Sequence, residues 1–275
     1  MSAESPTPPE HSGPGTGPGS GAWERSWQWF EDHADQYEEA VVQAADLGSL
    51  LVDLADPAPA SRVLDVGAGS GAVTRAALAR GCVVTAVDVA PAMVRRLARD
   101  FPGATVCRMD ARQLGFVGGS FGTVTAGYLL DIVDDPGRVL GEIHRVLAPG
   151  GRAALSQQGP IRACWHWLRE LAEEFWPAPP KANKAATPRD TTTLLTEAGF
   201  AGITQRLVED PQPVPGASAL WERLYAQVAA VGIEWLPPER AAAFLRRFMA
   251  GAEHMQAHGG IVLHRDAVLH LCSVP

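Results

Sequence analysis

The residues best placed to do chemistry lie in one short run, Asp65-Val66-Gly67-Ala68-Gly69-Ser70-Gly71. Glycines carry no Cβ, so this backbone can approach a ligand closely. A helix starting behind the loop would offer free N–H groups to a carboxylate or phosphate. Asp88 closes the next apolar run, where a carboxylate can accept from ribose hydroxyls. The loop and Asp88 together fit an adenosine-containing ligand. Alone they also fit a dinucleotide, because Gly67-Ala68-Gly69-Ser70-Gly71-Ala72 satisfies a loose dinucleotide fingerprint. Two more carboxylates bear on the choice. Asp65, two positions before Gly67, would repel a pyrophosphate and attract an ammonium. Asp110, in Met109-Asp110-Ala111, can accept from an adenine amino group.

The elements that must position these groups follow from periodicity. Short apolar runs at 62–66, 83–88, 105–109, 123–127 and 152–156 read as buried strands. Helical patterns at 71–80, 91–100 and 136–147 alternate with them, Pro91 standing in a first turn. Such alternation implies a parallel sheet covered on both faces, with ligands at the carboxyl ends of its strands. The expected fold is therefore α/β and Rossmann-like, with seven mostly parallel strands. Residues 1–22, nearly all Ser, Pro, Gly, Thr and Glu, read as a disordered tail. Residues 23–60 read as N-terminal helices over the active site, and 61–275 as the main domain. Helical cap insertions are expected near 158–188 and 215–260. Helices are expected at 161–175, 191–198, 219–231 and 238–257, a sixth strand at 203–208, and a last strand over 261–274 as its hairpin partner.

With 23 basic and 31 acidic residues the net charge is -8, which gives no general attraction to nucleic acid or to an anionic membrane. No apolar run is long enough to span a bilayer, and no secretory leader is expected. The four cysteines are dispersed and form no CxxC pair, so no metal site is expected and buried thiols in a reducing cytoplasm fit best.

The VLDVGAGSG run at 63–71 and the RVLAPGG run at 145–151 form a specific pair. By these motifs the chain resembles the class I S-adenosylmethionine-dependent methyltransferases of the ubiquinone-biosynthesis type, which act on small molecules. The resemblance covers 25–156 well and the rest loosely. It implies S-adenosylmethionine as cofactor and S-adenosylhomocysteine as product. It places Asp65, Gly67 and Gly69 at the methionyl end and Asp88 at the ribose, with Ala68 and Val89 also among the cofactor-binding residues. Met93, Asp110 and Ala111 would meet the adenine, and Gly127 and Tyr128 would lie beside the sulfonium. Tyr37 would close over the cofactor. Two positions depart from the family pattern. Gly122 stands where Asp is common, and Asp131 where a histidine is common.

Methyl transfer is an in-line displacement that needs a base only when the acceptor must lose a proton. Asp131, His166 and Tyr128 are the catalytic candidates. The acceptor candidates are Trp29, Gln157, Arg162 and Trp165. All eight tryptophans lie outside 60–156, so aromatic side chains concentrate in the variable parts. They would either line an acceptor pocket or fasten the inserted helices. His254 and His258 share a helix face at four-residue spacing, and a solvated face suits them better than a metal. The expected activity is methylation of O, N or C in a small hydrophobic or aromatic metabolite. The alternative is a cofactor-binding protein of this fold that catalyses a rearrangement or cyclisation without transfer. The expected partner is a small-molecule acceptor, and the expected state is a monomer or homodimer.

Overall fold

The computed structural model describes residues 44–175, 188–230, 233 and 236–275. Tyr37, Trp29 and the expected tail lie outside them.

The strands are β1 (Arg62–Val66), β2 (Val83–Asp88), β3 (Thr105–Arg108), β4 (Phe121–Gly127), β5 (Leu147–Gln158), β6 (Ala201–Val208), β7 (Pro211–Val214), β8 (Ile261–His264) and β9 (Ala267–Ser273). The helices are α1 (Ala44–Ala55), α2 (Ala72–Ala79), α3 (Pro91–Asp100), α4 (Pro136–Val146), α5 (His166–Phe175), α6 (Pro188–Glu197), α7 (Ala217–Ala230) and α8 (Pro238–Ala257). Seven strands form one sheet in the order β3-β2-β1-β4-β5-β9-β6. β1 to β5 run parallel, while β9 is antiparallel to both β5 and β6. The expected fold class is present. The order reverses between β1 and β4, which is where open α/β sheets bind ligands.

Local chemistry explains the elements nearest the site. β1 is central and buried from Val63 onward, so its side chains are apolar apart from Asp65. In α4, Asp135 caps the first turn by accepting from Arg138 N at 3.0 Å, and Pro136 pre-sets the helical φ. Its buried face, Val139, Leu140, Ile143 and Val146, seals one side of the sheet, each side chain worth about 2 kcal/mol of apolar burial. The other side is sealed by α1, whose Leu47, Leu51 and Val52 pack with Val63, Val73 and Val84.

Several boundaries differ from expectation: β5 is longer at both ends than the expected 152–156, β4 and β6 begin two residues early, and the region after β5 departs further. The helix expected from Ile161 starts at His166, after a 3-10 turn over Ala163–Trp165. Pro160 and an exposed Ile161 precede that turn. The expected last strand is two strands, β8 and β9, broken at Arg265-Asp266. The expected two-stranded hairpin is a longer one, because β7 continues β6 and pairs with β8 beyond the break. β7 carries Pro211 and Pro213, which hide a strand from pattern reading.

The β7–β8 ribbon carries α7 and α8, and with α5 these form a second apolar cluster. Its centre is Trp165, Leu171, Phe175, Leu220, Phe244 and Phe248. We refer to this unit as the cap.

Candidate active site

The glycine loop leaves β1 at the switch point. Gly67 has φ 67°, and a Cβ there would sit 2.8 Å from Leu129 Cδ1, so only glycine fits. The loop is tied to β2. Gly67 N and Ala68 N both donate to Val87 O, at 2.9 and 3.0 Å. Gly69 N donates to Asp88 Oδ2 at 2.9 Å, while Ala90 N donates to Oδ1 at 2.9 Å. Burial raises the Asp88 pKa above the carboxylate norm, and these N–H bonds oppose that rise. Asp88 thus shapes the loop.

An open cleft lies over the loop. Asp65, Gly67, Ala68, Gly69 and Ser70 form its floor, Gly127 and Tyr128 one wall, and Leu47, Gly48 and Leu51 of α1 another. Asp65 is 1% exposed. Its Oδ2 accepts from Thr74 Oγ1 at 2.7 Å and its Oδ1 from Thr125 Oγ1 at 3.2 Å. Desolvation pushes its pKa up to about 6, with the two hydroxyls opposing. A backbone hydrogen bond from Thr74 opposes the rise as well, yet none of these partners carries a positive charge, and a buried carboxylate so held is costly to ionise. A ligand ammonium entering the cleft would supply the missing cation. The residues present therefore fit the amino-acid end of S-adenosylmethionine.

The other cofactor candidates follow the ends of β2 and β3 or, for Met93, lie in the first turn of α3. Met93 and Ala111 are buried and Val89 is half-buried. Val89 O accepts from Arg108 Nε at 3.0 Å. Asp110 accepts from Arg112 N at 2.8 Å and from its guanidinium, with Nη2 at 2.7 Å of Oδ2. Arg112 Nη1 also reaches Asp134 Oδ1 at 2.9 Å. Burial would raise the Asp110 pKa, but Arg112 outweighs it and holds the carboxyl low.

After β4 the backbone turns sharply at Tyr128, a non-glycine residue at φ 52°. Tyr128 N donates to Ser156 O at 3.0 Å, and a 3-10 turn ends at Asp131. Asp131 is joined to the end of β5. Gln158 N donates to its Oδ2 at 2.8 Å and Gln157 Nε2 to its Oδ1 at 3.3 Å. Burial pushes its pKa up to about 6, against those two bonds. Gln157 is buried, and its Oε1 accepts from Thr191 Oγ1 of α6.

The remaining candidates scatter. His166 is exposed at the start of α5. Trp165 is buried in the cap core, stacked on Trp167 at 6.4 Å, and its Nε1 has no partner among the described residues. Arg162 is engaged by Asp266 and Glu209. Among the described residues no group of three metal-ligating side chains occurs. Pattern reading missed Thr74 and Thr125, while the helix expected within 23–60 over the site is present as α1. Thr125 was reachable through register, since it pairs directly with Asp65.

Fold and site together define a Rossmann-like protein with an open cleft at the switch point. The family model described as "Methyltransferase domain" matches residues 64–155. A demethylmenaquinone methyltransferase of Renibacterium salmoninarum is 32% identical over 181 residues, covering 62% of this chain and 73% of the relative. A malonyl-[acyl-carrier protein] O-methyltransferase of Halorhodospira halophila is 31% identical over 184 residues. That match covers 62% of this chain and 59% of the relative, so the chain spans about three-fifths of its length. The solved structure of the YcgJ protein from Bacillus subtilis superposes with a TM-score of 0.59 at 16% identity, covering 82% of this chain and 97% of that one. The chain belongs to the class I S-adenosylmethionine-dependent methyltransferases.

Proposed function

We propose that the protein moves the methyl group of S-adenosylmethionine to an O, N or C atom of a small hydrophobic or aromatic metabolite. The observation that carries this reading is Asp65, a buried carboxylate without a cationic partner in its hydrogen bonds, on the floor of a cleft walled by Gly127 and Tyr128. The bound cofactor would supply an electrophilic methyl on a cationic sulfur.

The chain's own residues hold and orient. Asp65 takes the ammonium. Asp88, already fixed by Gly69 N and Ala90 N, accepts from the ribose hydroxyls with its remaining lone pairs. Ala68 and Val89 frame it, and Met93, Asp110 and Ala111 bound the adenine. Gly127 leaves room beside the sulfur, and the Tyr128 ring gives a polarizable wall. Asp131 accepts the acceptor's proton, its raised pKa suiting a base that works near neutrality. His166 is the second candidate for that step. Trp165 and Gln157 shape the acceptor side through the cap and the β5 end. No helix among the described residues is long and apolar enough to cross a membrane. We read the protein as a cytoplasmic enzyme of specialised metabolism, monomeric or homodimeric; the free cysteines fit the compartment, and the acidic balance fits the lack of a nucleic-acid partner.

The test is incubation with methyl-labelled S-adenosylmethionine and a panel of phenols, quinols, carboxylic acids and amines. Labelled product with stoichiometric S-adenosylhomocysteine supports transfer. Turnover of an acceptor without S-adenosylhomocysteine would replace it with a non-methylating reaction.

A further inference from the structure

The chain passes between sheet and cap at 158–163, 208–211 and 264–267, and these three passages meet at one carboxylate. Arg162, from the first, donates to Asp266 Oδ2 through Nε at 2.8 Å and Nη2 at 2.6 Å. Asp210, from the second, donates its N–H to Oδ1 at 3.0 Å. Asp266 belongs to the third, and its carbonyl accepts Gly159 N at 2.8 Å, back in the first. The fit is close, since a Cβ on Gly159 would come 2.5 Å from Asp266 Cβ. The Asp266 side chain is 2% exposed. Around it, Arg162 Nη2 reaches Glu209 Oε1 at 2.5 Å and Arg265 Nη2 reaches Asp210 Oδ2 at 2.6 Å. His264 Nδ1 stands 3.9 Å from Oδ1. Burial would raise the Asp266 pKa, but Arg162 and the Asp210 N–H outweigh it and hold the carboxyl below the usual range.

We propose that Asp266 is a positioning residue that sets the cap on the acceptor side of the cofactor cleft. Two consecutive N–H groups carry the coupling. Gln158 N holds Asp131, and Gly159 N holds Asp266. Trp165, which anchors the cap core, follows Arg162 by three residues and donates its N–H to Arg162 O at 2.9 Å. A shift of the 158–163 passage therefore moves Asp131's partner and the cap together. None of the Asp266 hydrogen bonds described above reaches the glycine loop, β2 or β3, so the cofactor residues are insulated from it. A buried carboxylate with several charged and N–H partners is costly to disrupt by removing one of them, which suits a fixed joint. The kinetic half of this proposal rests on the methyl-transfer reading; the structural half does not.

The experiment uses the full chain with Asp266→Asn, Arg162→Gln and the conservative Arg162→Lys. S-adenosylhomocysteine affinity is read by calorimetry, and amide exchange is followed with that ligand bound. Initial rates use 2,3-dihydroxynaphthalene as the acceptor probe. We expect Asp266→Asn to bind S-adenosylhomocysteine within twofold of wild type. Exchange in the β7–β8 ribbon and at 163–165 should rise at least tenfold, with β1 and β4 unchanged. The acceptor KM should rise at least fivefold at constant cofactor KM, and Arg162→Lys should fall between wild type and Arg162→Gln. Uniformly faster exchange with parallel loss of S-adenosylhomocysteine binding would reduce Asp266 to general support and overturn the proposal. So would unchanged exchange and KM. If Asp266→Asn does not fold, the two Arg162 variants decide. If wild type binds S-adenosylhomocysteine but leaves the naphthol unmethylated, the acceptor class is at fault, and the exchange pattern decides the cap's anchoring.

Discussion

The indole of Trp167 in α5 fills the space that a side chain at Gly251 of α8 would need. Its Nε1 donates to Met255 Sδ at 3.1 Å, one turn further along α8. Phe248 tilts against the same ring at 5.8 Å. This crossing holds α5 to α8 at the heart of the cap. Gly251→Val should force the indole out and cost the cap about 1–3 kcal/mol. Trp165, Trp167 and Trp221 all lie in or against that cluster, while among the described residues the sheet core has no tryptophan. The loss should therefore appear as an earlier fluorescence transition on heating, with the far-ultraviolet signal of the sheet melting at its normal temperature. Coincident transitions would mean that cap and sheet unfold as one.

A second close crossing lies under the cofactor cleft. Gly48 of α1 faces the first turn of α2, where a Cβ would come 2.6 Å from Ala72 C and O and 2.9 Å from Val73 N. These are backbone atoms, so neither can swing away. Gly48→Ala should cost about 1–3 kcal/mol of stability. Because Leu47 and Leu51 share that helix and line the cleft, it should also weaken S-adenosylhomocysteine binding by calorimetry. Normal affinity in a destabilised variant would show that α1 only covers the sheet.

These two crossings mark where sequence reading stops. The first four strands, the glycine loop and the carboxylates Asp65, Asp88 and Asp110 were legible because apolar runs and turn residues are local signals. Asp131 was legible as a position, but its tie to Gln158 N depends on β4 and β5 ending side by side. Arg162 and Trp165 read as acceptor residues, and the structure gives both to the cap joint and core. What decided this was Asp266, far along the chain, and no periodicity announces such a partner. β7 was hidden by its prolines for a reason of chemistry: Pro211 and Pro213 can sit in a strand only on an edge, and a two-stranded ribbon is all edge.

With Asp65 as the proposed partner of the cofactor's ammonium, binding should depend on pH. Its pKa stands at about 6 in the protein. An ammonium beside it favours the ionised form, so binding lowers that pKa and releases a proton. Affinity must then rise as pH climbs through 6 and level off above 7. A tenfold gain between pH 5 and 7 would correspond to about one pKa unit, or 1.4 kcal/mol. Calorimetry of S-adenosylhomocysteine in buffers of different ionisation heat should show proton release near pH 6. Asp65→Asn should flatten the profile and bind more weakly. A flat wild-type profile would remove the ammonium from Asp65.

His270 on β9 gives a stability signature of its own. It pairs in register with Leu155 and Gln205, is fully buried, and neither ring nitrogen has a partner among the described residues. Desolvation holds its pKa down to about 4. In the unfolded chain a histidine titrates near 6.5. The unfolded state therefore takes up a proton first as pH falls, and the folded state loses stability between about 6.5 and 4. That loss should amount to roughly 1–3 kcal/mol. The neighbours on its face are Leu155, Cys272 and Gln205, and Gln205 is exposed to water, so His270→Leu should leave no group unsatisfied. The variant should match or exceed wild type at pH 7 and keep more of that stability at pH 5, measured by urea unfolding. An equal loss in both proteins on acidification would assign the pH dependence to other groups and leave His270 silent.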